Sequence, residues 1–304
     1  MDEMVNVVFV AIFCTAFMLI IVLAFVYCNR LHMASSHCGT NSFGERLSDM
    51  YEYDFLQKTW SCIQPVGFTG LENLHDLPMM NNVEVEDHSS IPKARAAHTA
   101  VLRTVSLHDE RMVLFGGWNG YLYYNDLYEF HFTTNQWNKF KCDENTPSPR
   151  NTHIAVMRQN KSMVIFGGSH ANVRYNDLYE YHFASATWNK LEPGPNSMAP
   201  PKARGAARAV MLDESDKLLV YGGKPSSFLT LKLSDVFLFD FQKRIWTELH
   251  IVDFCSEKPE PLSSFAMVHA YSRGNEHKVC CMKNMKQPGS EETRYPAHSR
   301  THSQ

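Results

Sequence analysis

Three diglycines, Gly116-Gly117, Gly167-Gly168 and Gly222-Gly223, each close a short apolar run. Each is followed by an aspartate and, eleven residues after that aspartate, by a tryptophan: Asp126 to Trp137, Asp177 to Trp188 and Asp235 to Trp246. The step also holds from Asp49 to Trp60, where no diglycine precedes it. The complete copies recur every 51 to 58 residues, so one supersecondary unit is repeated along the chain. A unit of that size cannot bury its apolar face alone, and an array of such units stacks face on face.

Each unit divides into four short strands. Strand a reads HTAVLRTV, HIAVMRQN or ARAVMLDE, and strand b reads MVLF, MVIF or LLVY. Strand c begins at the aspartate and alternates: Tyr128, Phe130 and Phe132 fall on one face, Leu127, Glu129 and His131 on the other. The same pattern returns as Tyr179/Tyr181/Phe183, Phe237/Phe239/Phe241 and, in the early copy, Tyr51/Tyr53/Phe55. A period of two with one aromatic face predicts strands packed between neighbouring sheets. The tryptophan opens strand d, where its bulk fits the gap between sheets. Glycine weakens strands, so a diglycine recurring in register predicts positive φ or close backbone approach, here attributed to a narrow central axis.

With the diglycine ending strand b, the N-D-L-Y-E-Y-like strand c and the fixed step to tryptophan, the chain resembles the kelch repeat family from about Phe43 to Met282. The resemblance implies an all-β fold, a β-propeller of four-stranded blades around a central channel. Three units are complete, at about 91–143, 148–192 and 200–250. Only strands c and d (47–62) precede them, and only an a–b pair within 263–282 follows, Val268 matching Val101, Val156 and Val210. About four blades are expected, the C-terminal pair joining the N-terminal c and d strands in a composite blade; the alternative is an array left open at one edge.

The start of strand a and the b–c loop share one face of a propeller. Arg95, Arg150 and Arg204 head strand a in consecutive units, and three guanidiniums on one rim can grip carboxylates bidentately. The resemblance supports that use, since equivalent arginines of kelch proteins with a peptide ligand belong to the binding face. The alternative is that each arginine ties down its own neighbouring loop. The b–c loops add Trp118, Asn119, Tyr121 and Tyr123, then His170 and Arg174, then Lys224 and Phe228, as interface anchors. His98 and His153 recur, with Ala207 in the third unit, and are expected to make structural hydrogen bonds rather than bind metal.

Val5 to Tyr27 is about 23 residues with only Asn6 and Thr15 as polar interruptions, long enough to cross a bilayer as one helix. An acidic start (Asp2, Glu3), with Arg30 and Arg46 following, puts the N-terminus outside and the repeats in the cytosol of a single-pass membrane protein. Translation from Met33 would remove the segment and leave the array cytoplasmic. The expected organisation is a membrane helix over 1–30, a propeller over 31–282 with an acidic insertion at 64–90, and a disordered polar tail over 283–304.

The net charge of −3 gives no basis for a nucleic-acid partner. Eight cysteines include no C-x-x-C pair or zinc spacing, so no metal or other cofactor is expected. The chain contains no phosphate loop, and no Ser-His-Asp arrangement stands out. The resemblance implies a non-catalytic scaffold or adaptor for a protein or peptide ligand, acidic if the arginines bind it. An alternative is a ubiquitin-ligase substrate receptor working through a separate subunit; a metal-dependent kelch-fold enzyme is the remote third reading.

Overall fold

Alternating apolar residues and turn-forming diglycines fold into antiparallel sheets throughout. The computed structural model describes residues 10–15, 18–27, 30–37, 50–54, 57, 59–66, 91–107, 109–226, 231–249, 266–271 and 277–282. Sheet 1 has five strands in sequential order: β1 (Val10–Thr15), β2 (Met18–Tyr27), β3 (Arg30–His37), β4 (Met50–Asp54) and β5 (Thr59–Ile63). Sheet 2 comprises β6 (Thr99–Ser106), β7 (Asp109–Trp118), β8 (Tyr123–His131) and β9 (Gln136–Lys139). Sheet 3 comprises β10 (Ile154–Arg158), β11 (Ser162–Phe166), β14 (Leu178–His182) and β15 (Thr187–Lys190), with the small hairpin β12 (Ser169–His170) and β13 (Val173–Arg174) inserted in its b–c loop. Sheet 4 comprises β16 (Arg208–Leu212), β17 (Lys217–Tyr221), β18 (Val236–Asp240) and β19 (Ile245–Leu249). Sheet 5 is the pair β20 (Ala266–Tyr271) and β21 (His277–Met282). The first strands of sheets 2 to 5 adjoin in series, and β20 also approaches β1, an arrangement consistent with a β-propeller.

Both faces of strand c are used. Tyr128 and Phe130 of sheet 2 are buried with Met50 of sheet 1, while Leu127 on the opposite face is buried with Met163, Ile165, Tyr181 and Trp188 of sheet 3. Phe237, Phe239, Phe241 and Trp246 of sheet 4 pack in turn on Val164, Phe166 and Leu178 of sheet 3. The tryptophans act as expected: the Trp188 ring lies 5.1 Å from Phe115 of the preceding sheet, and Trp246 lies 5.3 Å from Phe166. Truncating a buried tryptophan of this kind to alanine costs about 3–5 kcal/mol.

Two expectations about the N-terminal region are overturned. Val5–Tyr27 does not form one helix: β1 and β2 pair as a hairpin, Val10 opposite Leu23, and β2 pairs onward with β3. Among the described residues no helix is long and apolar enough to cross a membrane, so the single-pass localisation with its cytosolic orientation is withdrawn. The run is rich in Val, Ile and Phe, which favour strands, and length alone does not distinguish a spanning helix from a strand hairpin. The composite blade is also absent, because β4 and β5 pair with β3 rather than with β21. The acidic insertion falls outside the described residues beyond Val66, and so does the tail from 283.

Candidate functional site

The segment that leads into strand a lies against the base of the b–c loop in every complete unit. Isolated bridges join Ala96 to Trp118, Asn151 to Ser169 and Gly205 to Lys224. Between arginine and strand a, Ala97, Thr152 and Ala206 take left-handed φ of 55°, 52° and 56°. That shared turn aims their amides along the array, Thr152 N–H donating to Ala97 O and Ala206 N–H to Thr152 O, each at 2.8 Å.

The diglycines take positive φ, 65° and 103° at Gly116 and Gly117. The crowding comes from the arginine loops rather than from a central axis. A Cβ on Gly116 would meet Arg150 O of the next sheet at 2.8 Å, and one on Gly117 would meet His98 Cβ at 2.9 Å.

Arg95, Arg150 and Arg204 are buried, at 0%, 0% and 1% exposure. Arg150 donates from Nη1 to Asp177 Oδ1 (2.6 Å) and Gly167 O (3.0 Å), from Nη2 to Asp177 Oδ2 (3.0 Å) and from Nε to Ser148 O (3.0 Å). Arg95 repeats the pattern with Asp126, Gly116 O and Lys93 O, and Arg204 with Asp235, Gly222 O and Lys202 O. The Arg95 guanidinium also lies 4.1 Å over the Tyr124 ring and that of Arg150 4.4 Å over Tyr175. Each guanidinium is thus held by the aspartate of strand c and the first diglycine carbonyl of its own unit. The reading in which these arginines grip a partner's carboxylates is corrected to the alternative, a clamp that fixes the b–c loop. An isolated buried cation costs too much to leave unpaired, and the repeat aspartate is the counter-ion.

His153 shares a 2.6 Å hydrogen bond from Nε2 with Thr99 Oγ1 of the preceding sheet, a structural bond as expected. Both ring nitrogens of His98 are buried with no hydrogen-bond partner among the described residues. Burial, reinforced by Arg95, lowers the pKa of His98 from 6.5 to about 3. Burial, then Arg150 and His98, holds His153 well below its ordinary value. Both rings are therefore neutral, and among the described residues no group of three His, Cys, Asp or Glu is placed to hold a metal ion.

The clamps carry a half-buried aromatic ledge. Trp118 stacks on Tyr123 with centroids 5.9 Å apart, and Tyr123 stacks on His170 of sheet 3 at 4.4 Å. Asn119 shapes the loop, its Oδ1 accepting from the amides of Tyr121 and Leu122 and its Nδ2 donating to Tyr124 Oη. Tyr121 is left 90% exposed at the tip. Arg174, half-buried, donates to Ala171 O in the next loop, and Lys224 is half-buried at the base of the third. Phe228 lies outside the described residues. The structure therefore brings Trp118, Asn119, Tyr121, Tyr123, His170 and Arg174 onto two adjoining loops. It adds Leu122, 62% exposed, and Val173, 56% exposed, which single apolar residues in polar loops do not signal in a sequence.

The KLHDC2/KLHL20/DRC7 kelch-repeats domain matches residues 73–274. The leucine-zipper-like transcriptional regulator 1 homolog of Drosophila melanogaster is 26% identical over 68% of this chain and 18% of its own length. The host cell factor homolog hcf-1 of Caenorhabditis elegans is 25% identical over 61% of this chain and 23% of its own. The flagellar outer-arm dynein alpha chain of Chlamydomonas reinhardtii is 28% identical over 52% of this chain and 4% of its own. The chain therefore spans less than a quarter of the length of each of these relatives.

Proposed function

The chain belongs to the kelch-repeat family, and on that premise we propose that it is a non-catalytic module binding a partner protein on the rim built by its b–c loops. The observation that carries the proposal is the ledge of Trp118, Tyr123 and His170 crossing from sheet 2 to sheet 3, with Tyr121 exposed at its edge. Aromatic side chains held rigid by stacking lose little entropy on binding and offer large contact areas, which is why they anchor interfaces. The arginine–aspartate clamps neutralise Asp126, Asp177 and Asp235, and Lys93, Lys202, Arg174 and Lys224 add basic side chains to the same loops. A partner segment with aromatic-complementary apolar residues flanked by carboxylates fits that surface.

The test is proximity labelling in cells, wild type against Tyr121→Ala with His170→Ala. Tyr121 is 90% exposed and His170 is half-buried, so the variant keeps its fold while a defined set of labelled proteins disappears. An unchanged labelling profile would reject the ledge as the binding surface.

A further inference from the structure

The interface between sheets 3 and 4 is built like that between sheets 2 and 3 and departs from it at Leu191. Phe140 and Leu191 hold the same place in their units: the Phe140 amide donates to Leu127 O at 2.9 Å, and the Leu191 amide to Leu178 O at 2.8 Å. Between sheets 2 and 3 the rings of Phe115 and Tyr181 each lie 5.1 Å from Trp188, and the Phe140 ring closes on Tyr181 at 5.4 Å. Between sheets 3 and 4, Phe166 and Phe239 flank Trp246 in the same way, at 5.3 and 4.9 Å. Leu191 brings no ring to that second cluster.

A cavity of about 110 Å³ lies beside Leu191, with Leu178, Pro193, Pro200 and Trp246 in its lining. Leu178 and Trp246 are buried and the two prolines half-buried. The charged groups of the lining are already paired: Asp177 with Arg150, and Lys190 Nζ with Glu192 Oε1 at 2.6 Å. A neutral guest therefore suits this space better than an ion, which would have to shed its water without gaining a counter-charge. Apolar cavities of about 150 Å³ accept benzene. This smaller one takes a single flat ring whose attachment point stays at the mouth, where the Lys190 and Glu192 side chains are 49% and 64% exposed.

We propose that this cavity is a pocket for the phenyl ring of a phenylalanine carried by a partner protein. Phe140 specifies the guest, because at the equivalent place it is a phenyl ring that completes the cluster. The guest ring joins Trp246 and Phe239 as Phe140 joins Tyr181, gaining the same edge and tilted ring contacts. Asn176 and Asp177, also in the lining, end the b–c loop that carries His170 and Arg174, so the pocket is continuous with the rim. The assignment to a protein ligand rests on the partner-binding reading of that rim; the fit of the ring does not.

The probe is the capped tripeptide acetyl-Gly-Phe-Gly-amide, titrated into the full chain and followed through the methyl signals of Leu178 and Leu191 and the indole N–H of Trp246. Saturable shifts at these residues are expected, and acetyl-Gly-Leu-Gly-amide binds at least tenfold more weakly. Leu191→Phe fills the pocket from within, so it weakens binding at least tenfold and raises the thermal midpoint. Phe140→Leu opens the equivalent space between sheets 2 and 3, lowers the midpoint and adds a second site reported by the Leu127 methyls. A lowered midpoint or unchanged binding in Leu191→Phe would overturn the pocket, as would equal affinity for the leucine peptide. Toluene binding where the phenylalanine peptide does not would overturn the assignment to a partner's side chain. Tyr121→Ala with His170→Ala leaves the tripeptide affinity unchanged, so failure of the ledge and failure of the pocket are read separately.

Discussion

Replacing Asp177 by alanine tests whether the repeat arginines are clamps. The change removes both oxygens that hold Arg150, at 2.6 and 3.0 Å, and leaves a guanidinium that is 0% exposed with only Gly167 O and the Ser148 oxygens as acceptors. Stranding one member of a buried pair costs about 3–5 kcal/mol. The Asp177 side chain keeps 19% of its surface exposed, so water can enter the vacated space and the lower end applies, about 3 kcal/mol. Asp177→Asn retains one acceptor oxygen and should cost about 1–2 kcal/mol, the scale of one charge-assisted hydrogen bond. Glu144→Ala, an exposed carboxylate in the preceding d–a loop, should fall within about 0.5 kcal/mol of the parent. Urea unfolding followed by tryptophan fluorescence measures these differences, and amide exchange localises them, with the b–c loop of sheet 3 opening first. The clamp is refuted if Asp177→Ala loses less than about 1 kcal/mol while partner binding collapses; a guanidinium that tolerates losing its aspartate is a ligand group.

Two further outcomes follow from the same region. His98 binds its proton with a pKa near 3 in the folded chain against 6.5 when free, and His153 is shifted the same way. Below pH 6.5 the unfolded chain therefore takes up protons that the folded chain refuses, so their stabilisation is complete above that pH and declines as acid is added. Each histidine removes about 1.4 kcal/mol per pH unit until its folded pKa is reached; chemical denaturation at pH 7 and pH 5 checks this, and a flat profile in that window would contradict it. Gly168→Ala would put a Cβ 2.7 Å from that of His153 and 2.8 Å from Asn151 O at a φ of 97°. The strain should cost about 1–3 kcal/mol and raise exchange in the Asn151–Ser169 bridge, whereas an unchanged unfolding midpoint would show that the two loops do not depend on this close approach.

Much of this fold was legible because its signals are local and repeated. The aromatic face of strand c, the tryptophan in the inter-sheet gap and the left-handed diglycine each follow from residue type and spacing, and three copies in register removed the ambiguity of any one. The N-terminal segment lacked that support. An apolar run such as Val5–Tyr27 satisfies the length rule for a membrane helix as well as the composition of a strand hairpin. Only the pairing of β2 with β3, and of β3 with the recognisable strand β4, distinguishes them.

The amino-acid order alone determined that the chain is an array of four-stranded units with loops gathered along one rim. It did not determine what those loops do. Arg95, Arg150 and Arg204 look the same in sequence whether they face a ligand or an aspartate 27 to 31 residues away. Tertiary structure decided it, because closing strand c beside strand b brings the aspartate within bonding distance, and a cation already enclosed by protein takes that partner rather than wait for another.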